Sequence, residues 1–323
     1  MVPDSQSPSH ESSASRRARF RDHFFHQVQW SDLDQKSIAQ LIDLAAEEDL
    51  GGRGFATLAE QPGDPTSELF LSGRQPATAI LSSRQTAVIS GLRMAPAILQ
   101  RFDPSLSIQL LAQDGDLVEP GSQLAKISGS ARSLFTAERT LLNFIQFLSG
   151  VSTETHRLAS LLQDTETRLL DTRKTHPGYR ALLKYAVSQG GGWNHRLGLY
   201  DRIMIKDNHL AANSGAVGSA FREAVEKARS SRPDLPIEVE IDSLEQLPGV
   251  LSASPEIILF DNFSIDDMKT ALREVAGKVL TEASGNITAR TIPDLAGLGL
   301  DFISTGATIH QSRWIDLGLD VES

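Results

Sequence analysis

The 323-residue chain has no cysteine, which excludes disulfides, a thiolate nucleophile and cysteine-ligated metal sites. It also lacks net positive charge, because 31 Lys and Arg stand against 41 Asp and Glu, for a formal net charge of −10 at pH 7. This balance argues against a nucleic-acid binder. No run of about 18 consecutive apolar residues is present, so no membrane-spanning helix is expected. These absences predict a soluble globular protein, and we expect it in the cytoplasm.

The first part of the chain predicts a mixed α/β region. Residues 1–25 are rich in serine and lack the apolar core of a secretory signal, so we predict a disordered tail there. An apolar stripe from Ile38 to Ala46 predicts a helix that stops at Gly51 and Gly52. Strand-forming runs follow at 68–71, 77–82, 86–92, 108–111 and 123–128, and a broad apolar face predicts a long helix over 131–162.

Beyond Thr165, short β-rich runs alternate with helical stretches. The runs lie at 168–171, 202–206, 237–241, 257–261, 279–282 and 302–305. Alternating strands and helices predict a parallel sheet, and the regular spacing of the runs predicts an incomplete α/β barrel. The active sites of such barrels lie at the C-terminal ends of the strands.

Polar and small residues follow these strands where the strand ends would converge. They are Arg173, Lys174, Lys206, Glu240, Asp261, Ser284, Gly285 and Gly306. Taken singly, each has an ordinary explanation: Lys206 could be a surface lysine, and Asp261 could cap the following helix. Taken together, with cations outnumbering acids, they predict a site for a small anion.

The segment 171–210 strengthens this prediction, because it holds seven Lys or Arg and three His against three Asp. The planar guanidinium group matches carboxylate and phosphate oxygens, so the pairs Arg173–Lys174 and His195–Arg196 are candidate anion clamps. Small residues at two successive strand-to-helix junctions, 282–286 and 304–310, indicate a phosphorylated ligand. Two carboxylates beside phosphate, Glu240 and Asp261, indicate either Mg²⁺ or positive charge developing on a sugar.

Several longer motifs occur in a fixed order along the chain. They are TAERTLLNFIQF, DTRKT, GGGWNHRLGLYD, IKDNH, IEVEIDSLEQL, ILFDNF, EASGNIT and FISTGATIH. In this order and at these spacings they resemble the quinolinate phosphoribosyltransferase family, also called decarboxylating nicotinate-nucleotide pyrophosphorylases. The likeness runs from about Leu41 to Asp320, and DTRKT, GGGWNHRLGLYD and IKDNH together make it highly specific.

The resemblance implies a fold with two domains. An N-terminal α/β sandwich would span 26–145 and be completed by the C-terminal tail, 311–323. An incomplete α/β barrel of about seven strands would span 146–310. Family members form homodimers, or hexamers built as trimers of dimers.

The resemblance also implies an activity in de novo NAD biosynthesis. A phosphoribosyl group passes from 5-phosphoribosyl 1-pyrophosphate to quinolinate in the presence of Mg²⁺. Pyrophosphate and carbon dioxide are released, and nicotinate mononucleotide is formed.

Roles for individual residues follow from the same motifs. The residues expected to hold the two quinolinate carboxylates are Arg173, His195, Arg196 and Lys206, together with Arg139 of the neighbouring subunit. Lys174 would bridge toward the phosphoribosyl group, and Glu240 and Asp261 would lie near the ribose and the Mg²⁺. The family's phosphate-binding positions correspond to Ser284, Gly285, Gly306 and His310.

Arg139 has a simpler explanation from composition alone, as a solvated helix residue paired with Glu138 or Glu154. The chain also departs from the family pattern at His176, which stands where Thr is usual, and at Asn286, which replaces a second Gly. Phe260 and Phe263 stand where Leu and Met are usual. None of these changes removes a charged catalytic group.

Two alternatives remain open from the sequence. A related phosphoribosyltransferase, acting on nicotinate or associated with molybdenum transport, would share the barrel but lack part of the dicarboxylate clamp. A non-catalytic dicarboxylate-binding protein would explain the cations but not Glu240 and Asp261. Turnover of each candidate substrate separates the three possibilities.

Overall fold

The computed structural model describes residues 20–22, 24–73, 75–206, 209 and 218–322. Twelve strands are formed by the described residues: β1 Pro76–Ser83, β2 Ala87–Val88, β3 Ser107–Leu110, β4 Leu117–Val118, β5 Gln123–Ser130, β6 Arg168–Leu170, β7 Ile203–Ile205, β8 Ile237–Ile241, β9 Ile257–Asp261, β10 Leu280–Ser284, β11 Phe302–Ser304 and β12 Leu317–Val321. The α-helices are α1 Gln35–Gly51, α2 Pro65–Phe70, α3 Ala95–Phe102, α4 Ala131–Ala159, α5 Arg180–Gln189, α6 Ser219–Ser231, α7 Leu247–Ser252, α8 Ile265–Val275, α9 Ile292–Ala296 and α10 Ala307–His310. Short 3-10 helices lie at Trp30–Asp32, Leu92–Met94, Ser160–Leu162 and Leu244–Gln246.

The chain divides into two compact units that interleave along the sequence. The mixed unit comprises 27–160, 174–192 and the described residues from 306 onward. The parallel-sheet unit comprises the described residues up to His26, then 161–173 and the described part of 193–305. The linear domain boundaries of the sequence analysis, 26–145 and 146–310, stay a prediction.

An antiparallel sheet in the order β12-β1-β5-β3 forms the centre of the mixed unit. Strand β12 pairs with β1 from Ala79 opposite Val321 to Ser83 opposite Leu317, so the end of the chain forms an edge of this sheet. The chain leading to β12 passes close to α4 at Gly150, where an added Cβ would lie 2.3 Å from the Arg313 carbonyl oxygen. A side chain at this position would push the two segments apart.

Most predicted elements of the mixed unit are confirmed, with two exceptions. Helix α1 ends where expected, because Gly52 adopts the left-handed conformation that caps helices (φ 73°). The strand predicted at 68–71 is wrong, since these residues belong largely to α2. Asp64 caps that helix by accepting from the Ser67 N–H, and Pro65 occupies its first turn. The strand predicted at 86–92 is reduced to the two residues of β2.

The parallel-sheet unit contains six parallel strands in the order β6-β11-β10-β9-β8-β7. Each matches one of the predicted runs to within two residues at either end, and the predicted α/β fold class is confirmed. A parallel bridge between Leu170 and Trp193 extends the sheet by one residue beyond β6. This bridge lies where a further strand would pair with β6. The sheet therefore has six strands and a one-residue extension, where about seven strands were predicted.

One face of this sheet is arranged in layers that run along the strands. In a parallel sheet, residues in register share a face, and so do residues two apart on one strand. The apolar part of this face includes Ile257 and Leu280, which pack with Leu170, Phe302 and Phe25. The same face carries two fully buried carboxyl groups: Glu238, which is in register with Ile257, and Glu282, which lies two residues beyond Leu280 toward the C-terminal ends of the strands. The final layer, at the C-terminal ends of the strands, is polar and half-buried.

The structure describes five residues of the segment 20–25, which falls within the predicted tail. Of the tail predicted over 1–25, residues 1–19 and 23 lie outside the described residues. Residues 20–22 and 24 are helical, and the Phe25 ring is completely buried against Phe302, with ring centroids 3.9 Å apart. Three aromatic residues, Phe20, Phe24 and Phe25, provide the apolar area that anchors this segment.

No helix among the described residues is both long enough and apolar enough to cross a membrane.

Candidate active site

The C-terminal ends of β7 to β10 bring together four residues predicted to belong to the site. Glu240 and Asp261 lie on one face of neighbouring strands, and Ser284 is in register with Asp261. Lys206 follows β7, and its Nζ forms an ion pair with the Glu240 carboxylate. The arrangement places two carboxylates and one ammonium group at one edge of the sheet, as the sequence predicts.

The loop after β10 is shaped by its contacts with the loop after β9. Gly285 has φ 87°, and an added Cβ would lie 2.2 Å from the Asn262 Oδ1. Asn286 also adopts a left-handed conformation (φ 51°), which asparagine tolerates better than most residues. Its Nδ2 donates to the Asn262 Oδ1 over 2.9 Å. The change from Gly to Asn at 286 is therefore compatible with the loop, and the amide ties the two loops together.

Two guanidinium groups lie close together near the carboxyl end of β6. Arg196 is buried and Arg173 is half-buried. Burial lowers the pKa of Arg196, and the positive charge of Arg173 lowers it further. Two cations held near each other, one of them out of water, repel each other, so the pair favours the binding of an anion. This pair has the charge and the fork geometry that a dicarboxylate requires.

The loop that carries Arg196 is fixed by a buried carboxylate. Asp171 accepts from the His195 backbone N–H over 2.8 Å and from the Asn194 Nδ2 over 2.9 Å. Asp171 itself directly follows β6 and stands two residues before Arg173. The same carboxylate therefore links the two chain segments that present the guanidinium groups.

His195 is held by bonds to both ring nitrogens. Its Nδ1 accepts from the Arg196 backbone N–H over 2.8 Å. Its Nε2 lies 3.3 Å from Glu238 Oε1 and 3.3 Å from Arg202 Nη1, and Arg202 Nη1 also donates to the other oxygen of Glu238 over 2.7 Å. Arg202 lies over the Phe25 ring at 4.2 Å. This group of His195, Glu238, Arg202 and Glu282 is called the buried cluster below.

Glu282 is the second carboxyl group of the buried cluster, and its state differs from that of Glu238. Its Oε1 lies 3.5 Å from the His195 Nε2, and neither of its oxygens has a hydrogen-bond partner among the described residues. Burial raises the pKa of Glu282 well above its ordinary value, and the negative charge of Glu238 raises it further. Burial would also raise the pKa of Glu238, but its interactions with His195 and with the positive charge of Arg202 outweigh that effect and lower it. At neutral pH the cluster thus holds one carboxylate, one carboxylic acid and one guanidinium group.

Sequence reasoning missed Glu238, Glu282, Arg202 and Asp171. A signal was present, because IEVEI places two acids on the same face of a strand and buried acids are rare without a partner. The partners come from distant parts of the chain, so they could not be assigned without the register of the sheet.

The mixed unit contains three more predicted site residues that lie together. A Cβ added at Gly306 would approach the His310 ring to 2.9 Å and the Lys174 Cδ to 3.0 Å. Glycine therefore allows the backbone before α10 to approach both side chains. His176, which departs from the family pattern, is exposed and packs edge-on against Phe147, with ring centroids 5.2 Å apart.

Arg139 is exposed on α4, and no ion pair with it is found in the part of the chain that the structure describes. The exposure agrees with the simpler explanation of a solvated helix residue, but neither of the pairs considered for it, with Glu138 or with Glu154, is found among the described residues, and Glu154 pairs with Arg157 over 2.7 Å. Of the IKDNH motif, Asp207 and Asn208 lie outside the described residues. His209 Nδ1 accepts from the Lys206 backbone N–H over 3.0 Å.

Comparison with known proteins places both parts of the chain in one family. The family model for the quinolinate phosphoribosyl transferase C-terminal domain matches residues 151–320, and that for the N-terminal domain matches residues 64–149.

Similar proteins carry a consistent name. A Synechocystis protein named probable nicotinate-nucleotide pyrophosphorylase [carboxylating] is 41% identical over 243 residues, which are 74% of this chain and 81% of the relative. A Mycobacterium leprae protein named nicotinate-nucleotide pyrophosphorylase [carboxylating] is 40% identical over 263 residues, 80% of this chain and 91% of the relative. The solved structure of the nicotinate-nucleotide pyrophosphorylase from Francisella tularensis has 36% identity and a TM-score of 0.81, and covers 92% of this chain and 100% of its own.

Proposed function

The chain belongs to the quinolinate phosphoribosyltransferase family, and from that premise we propose that it joins quinolinate to the phosphoribosyl group of 5-phosphoribosyl 1-pyrophosphate. The products are nicotinate mononucleotide, pyrophosphate and carbon dioxide. It is a pentosyltransferase, a nicotinate-nucleotide pyrophosphorylase of the carboxylating type, and acts in de novo NAD biosynthesis. Magnesium dependence, a cytoplasmic location and the roles of individual residues are part of the same proposal.

The observation that carries the proposal is the pair of guanidinium groups, Arg173 and Arg196. Burial lowers the pKa of Arg196 and the positive charge of Arg173 lowers it further, and a bound carboxylate would offset both effects. Quinolinate has two adjacent carboxylates, so it can satisfy one guanidinium group with each. The Lys206 ammonium group, at the edge of the same sheet, supplies a third positive charge.

The acidic residues belong to the sugar half of the site. Glu240 and Asp261 are half-buried at neighbouring strand ends, where their charges stabilise positive charge developing at the anomeric carbon. Ser284 and Gly285 supply hydroxyl and backbone N–H groups for the 5-phosphate. Lys174, Gly306 and His310 would bind the remaining phosphate oxygens.

The donor set fits a hard divalent cation. Carboxylate oxygens, from Glu240 and Asp261, are the ligands that Mg²⁺ prefers, and most of its coordination would come from water and the substrate's phosphates. When bound, Mg²⁺ neutralises charge on the departing pyrophosphate. In this structure Lys206 pairs with Glu240 and Asn262 donates to Asp261, so both carboxylates are already oriented.

The chain's own residues act by positioning and electrostatics. The guanidinium pair holds the pyridine ring so that its nitrogen lone pair attacks the anomeric carbon while the bond to pyrophosphate breaks. The positively charged ring then stabilises the electron pair left when the 2-carboxylate departs as carbon dioxide. A proton replaces the carboxylate at C2, and no covalent intermediate with the protein is required.

Arg139 is the residue that, in this proposal, a second copy of the chain contributes to the quinolinate site. It is an exposed cation on a largely apolar helix, without an ion pair among the described residues, and the proposal is that it completes the quinolinate site of its neighbour in a homodimer or in a hexamer of three dimers. A mixing experiment tests this point. Arg139→Ala and Arg196→Ala are each expected to be nearly inactive, and mixing the two after dissociation restores turnover if the site is shared. A mixture as inactive as its components would contradict a shared site.

One assay distinguishes the proposed function from the two alternatives, a related transferase and a dicarboxylate-binding protein. Purified protein is incubated with 5-phosphoribosyl 1-pyrophosphate, Mg²⁺ and either quinolinate or nicotinate. Formation of nicotinate mononucleotide from quinolinate alone is the expected result. Product from nicotinate alone would indicate a related transferase, and binding of quinolinate without product would indicate a dicarboxylate-binding protein.

A further inference from the structure

Asn262 connects the acidic end of β9 with the loop that follows β10. Its side-chain Nδ2 donates to Asp261 Oδ2 over 2.9 Å, and its Oδ1 accepts from the Asn286 Nδ2 over 2.9 Å. Its backbone N–H donates to the Ser284 carbonyl oxygen over 3.0 Å. Asn262 therefore contacts a carboxylate of the sugar half of the site and two residues of the segment proposed to bind the 5-phosphate.

The orientation of both side-chain amides follows from their partners. A carboxylate only accepts hydrogen bonds, so the Asn262 NH2 group faces Asp261. The Asn262 side-chain oxygen then faces Asn286, which can meet it only with its own NH2 group. Turning either amide by 180° would bring groups of the same kind together. The two bonds therefore form one directed chain from Asn286 through Asn262 to Asp261.

The backbone of both asparagines is held in an unfavourable conformation. Four of the described residues other than glycine have a positive φ, and two of them are Asn262 (55°) and Asn286 (51°). Asparagine reaches this left-handed region more readily than most residues with a Cβ. Backbone strain of this kind clusters at functional sites, where the surrounding contacts maintain it. The bond between the two side chains is such a contact.

The loop after β10 is anchored on both sides of Asn286. Ser284 pairs in register with Asp261 as the last residue of its strand. On the other side, the buried Thr305 donates its hydroxyl to the Ile287 carbonyl oxygen over 3.0 Å. Between these two anchors, the Asn286 side chain links the loop to the end of β9.

We propose, on the basis of the function proposed above, that Asn262 and Asn286 are positioning residues for Asp261. Asn286 orients the Asn262 side chain, and Asn262 directs the Asp261 carboxylate toward the sugar. Because Ser284 and Gly285 are the proposed ligands of the 5-phosphate, a phosphate bound by the loop also holds this carboxylate in place. Asn286 replaces a glycine of the family pattern and adds a bond that glycine cannot make.

The direct test is NMR of the Asn262 side-chain NH2 group in ¹⁵N-labelled protein, with its signals identified by their loss in Asn262→Gly. Asn286→Gly removes the bond to Asn262 Oδ1 and suits the left-handed backbone. The Asn262 side chain is then held at one end only, and its NH2 protons should exchange with water about fivefold faster than in wild type. Unchanged exchange would overturn the proposal, because Asn286 would then not hold Asn262.

The kinetic test separates orientation of Asp261 from a role in shaping the loop alone. Asp261 acts on charge that develops in the transition state, so misplacing it lowers kcat. We expect kcat to fall about fivefold in Asn286→Gly, and about tenfold or more in Asn262→Gly, which removes a bond to a charged group. The KM for quinolinate should stay within about twofold of wild type in both variants, because the guanidinium pair is unchanged. The double variant should match Asn262→Gly, since the two residues act in series.

The matched control is Ala276→Gly, which changes another left-handed residue (φ 47°) at the C-terminal end of α8. This end lies at the edge of the sheet opposite the site, because α8 connects two parallel strands and runs antiparallel to them. Its kcat should match that of wild type.

Two kinetic results would contradict the positioning role. One is a higher KM for 5-phosphoribosyl 1-pyrophosphate with unchanged kcat in Asn286→Gly, and the other is additive losses of kcat in the double variant. If wild-type protein forms no nicotinate mononucleotide, the function proposed above fails. The exchange rates need no turnover, so they still decide whether Asn286 holds Asn262.

Discussion

Replacing Glu282 by Gln should remove a large part of the pH dependence of stability. Glu282 is completely buried, and neither carboxyl oxygen has a hydrogen-bond partner among the described residues. Burial and the charge of Glu238 raise its pKa in the folded protein. The group therefore takes up a proton on folding at any pH between its unfolded and its folded pKa. Gln has nearly the same shape and stays neutral at every pH.

The sign and size of the effect of pH on the free energy of unfolding follow from this proton uptake. The contribution of Glu282 to stability is fully present below its unfolded pKa of about 4.3. It is lost as pH rises toward the folded pKa, at up to about 1.4 kcal/mol per pH unit. Between pH 5 and pH 7, the free energy of unfolding of Glu282→Gln should therefore rise relative to wild type by up to about 2.7 kcal/mol. Glu238 is present in both proteins, so its own opposite pH dependence cancels to first order.

Urea unfolding of both proteins at pH 5, 6 and 7, followed by tryptophan fluorescence, measures this difference. The matched control is Glu223→Gln, an exposed glutamate on α6, for which the difference from wild type should not vary with pH. A constant difference between Glu282→Gln and wild type over this range would show that Glu282 is ionised in the folded protein. That result would refute the assignment of one acid and one carboxylate to the buried cluster.

Three further changes test other parts of the account. Arg196→Ala should lower kcat/KM for quinolinate by on the order of 100-fold, which steady-state kinetics measures. Its thermal midpoint, measured in a melting scan, should stay at or above that of wild type, because a buried cation next to Arg173 is removed. Gly285→Ala should destabilise the protein by about 1–3 kcal/mol in urea unfolding, because the new Cβ meets Asn262 at a positive φ; unchanged stability would mean that the two loops move apart freely. Ser264→Ala removes the hydroxyl that accepts from the Asp267 N–H at the start of α8 and should cost about 1 kcal/mol, with turnover unchanged.

Much of the parallel-sheet unit could be predicted from the sequence, because each strand there is a short apolar run between polar helices. The strands β8 and β9 were placed to the residue, and Glu240 and Asp261 were placed correctly at their ends. The strand predicted at 68–71 is wrong for a local reason. Its apolar residues suit a strand, but Asp64 and Pro65 begin a helix there, and capping decided the outcome.

The buried cluster could not be predicted in the same way. Its members come from β8, β10 and the loop before β7, and only the register of the sheet shows that Glu238 and Glu282 share a face. The contacts of the His195 ring were equally hidden from the sequence. The bond from the Arg196 N–H to its ring depends on backbone geometry that residue types do not specify.

The most direct test of the central claim is calorimetric titration of quinolinate and of nicotinate into wild-type protein and into Arg173→Ala, followed by turnover of each compound with 5-phosphoribosyl 1-pyrophosphate and Mg²⁺. The account predicts that wild type binds quinolinate and converts it to nicotinate mononucleotide, that nicotinate gives no product, and that Arg173→Ala loses both binding and turnover of quinolinate. Equal use of the two compounds by wild type, or undiminished binding of quinolinate by Arg173→Ala, would contradict a site built around paired guanidinium groups.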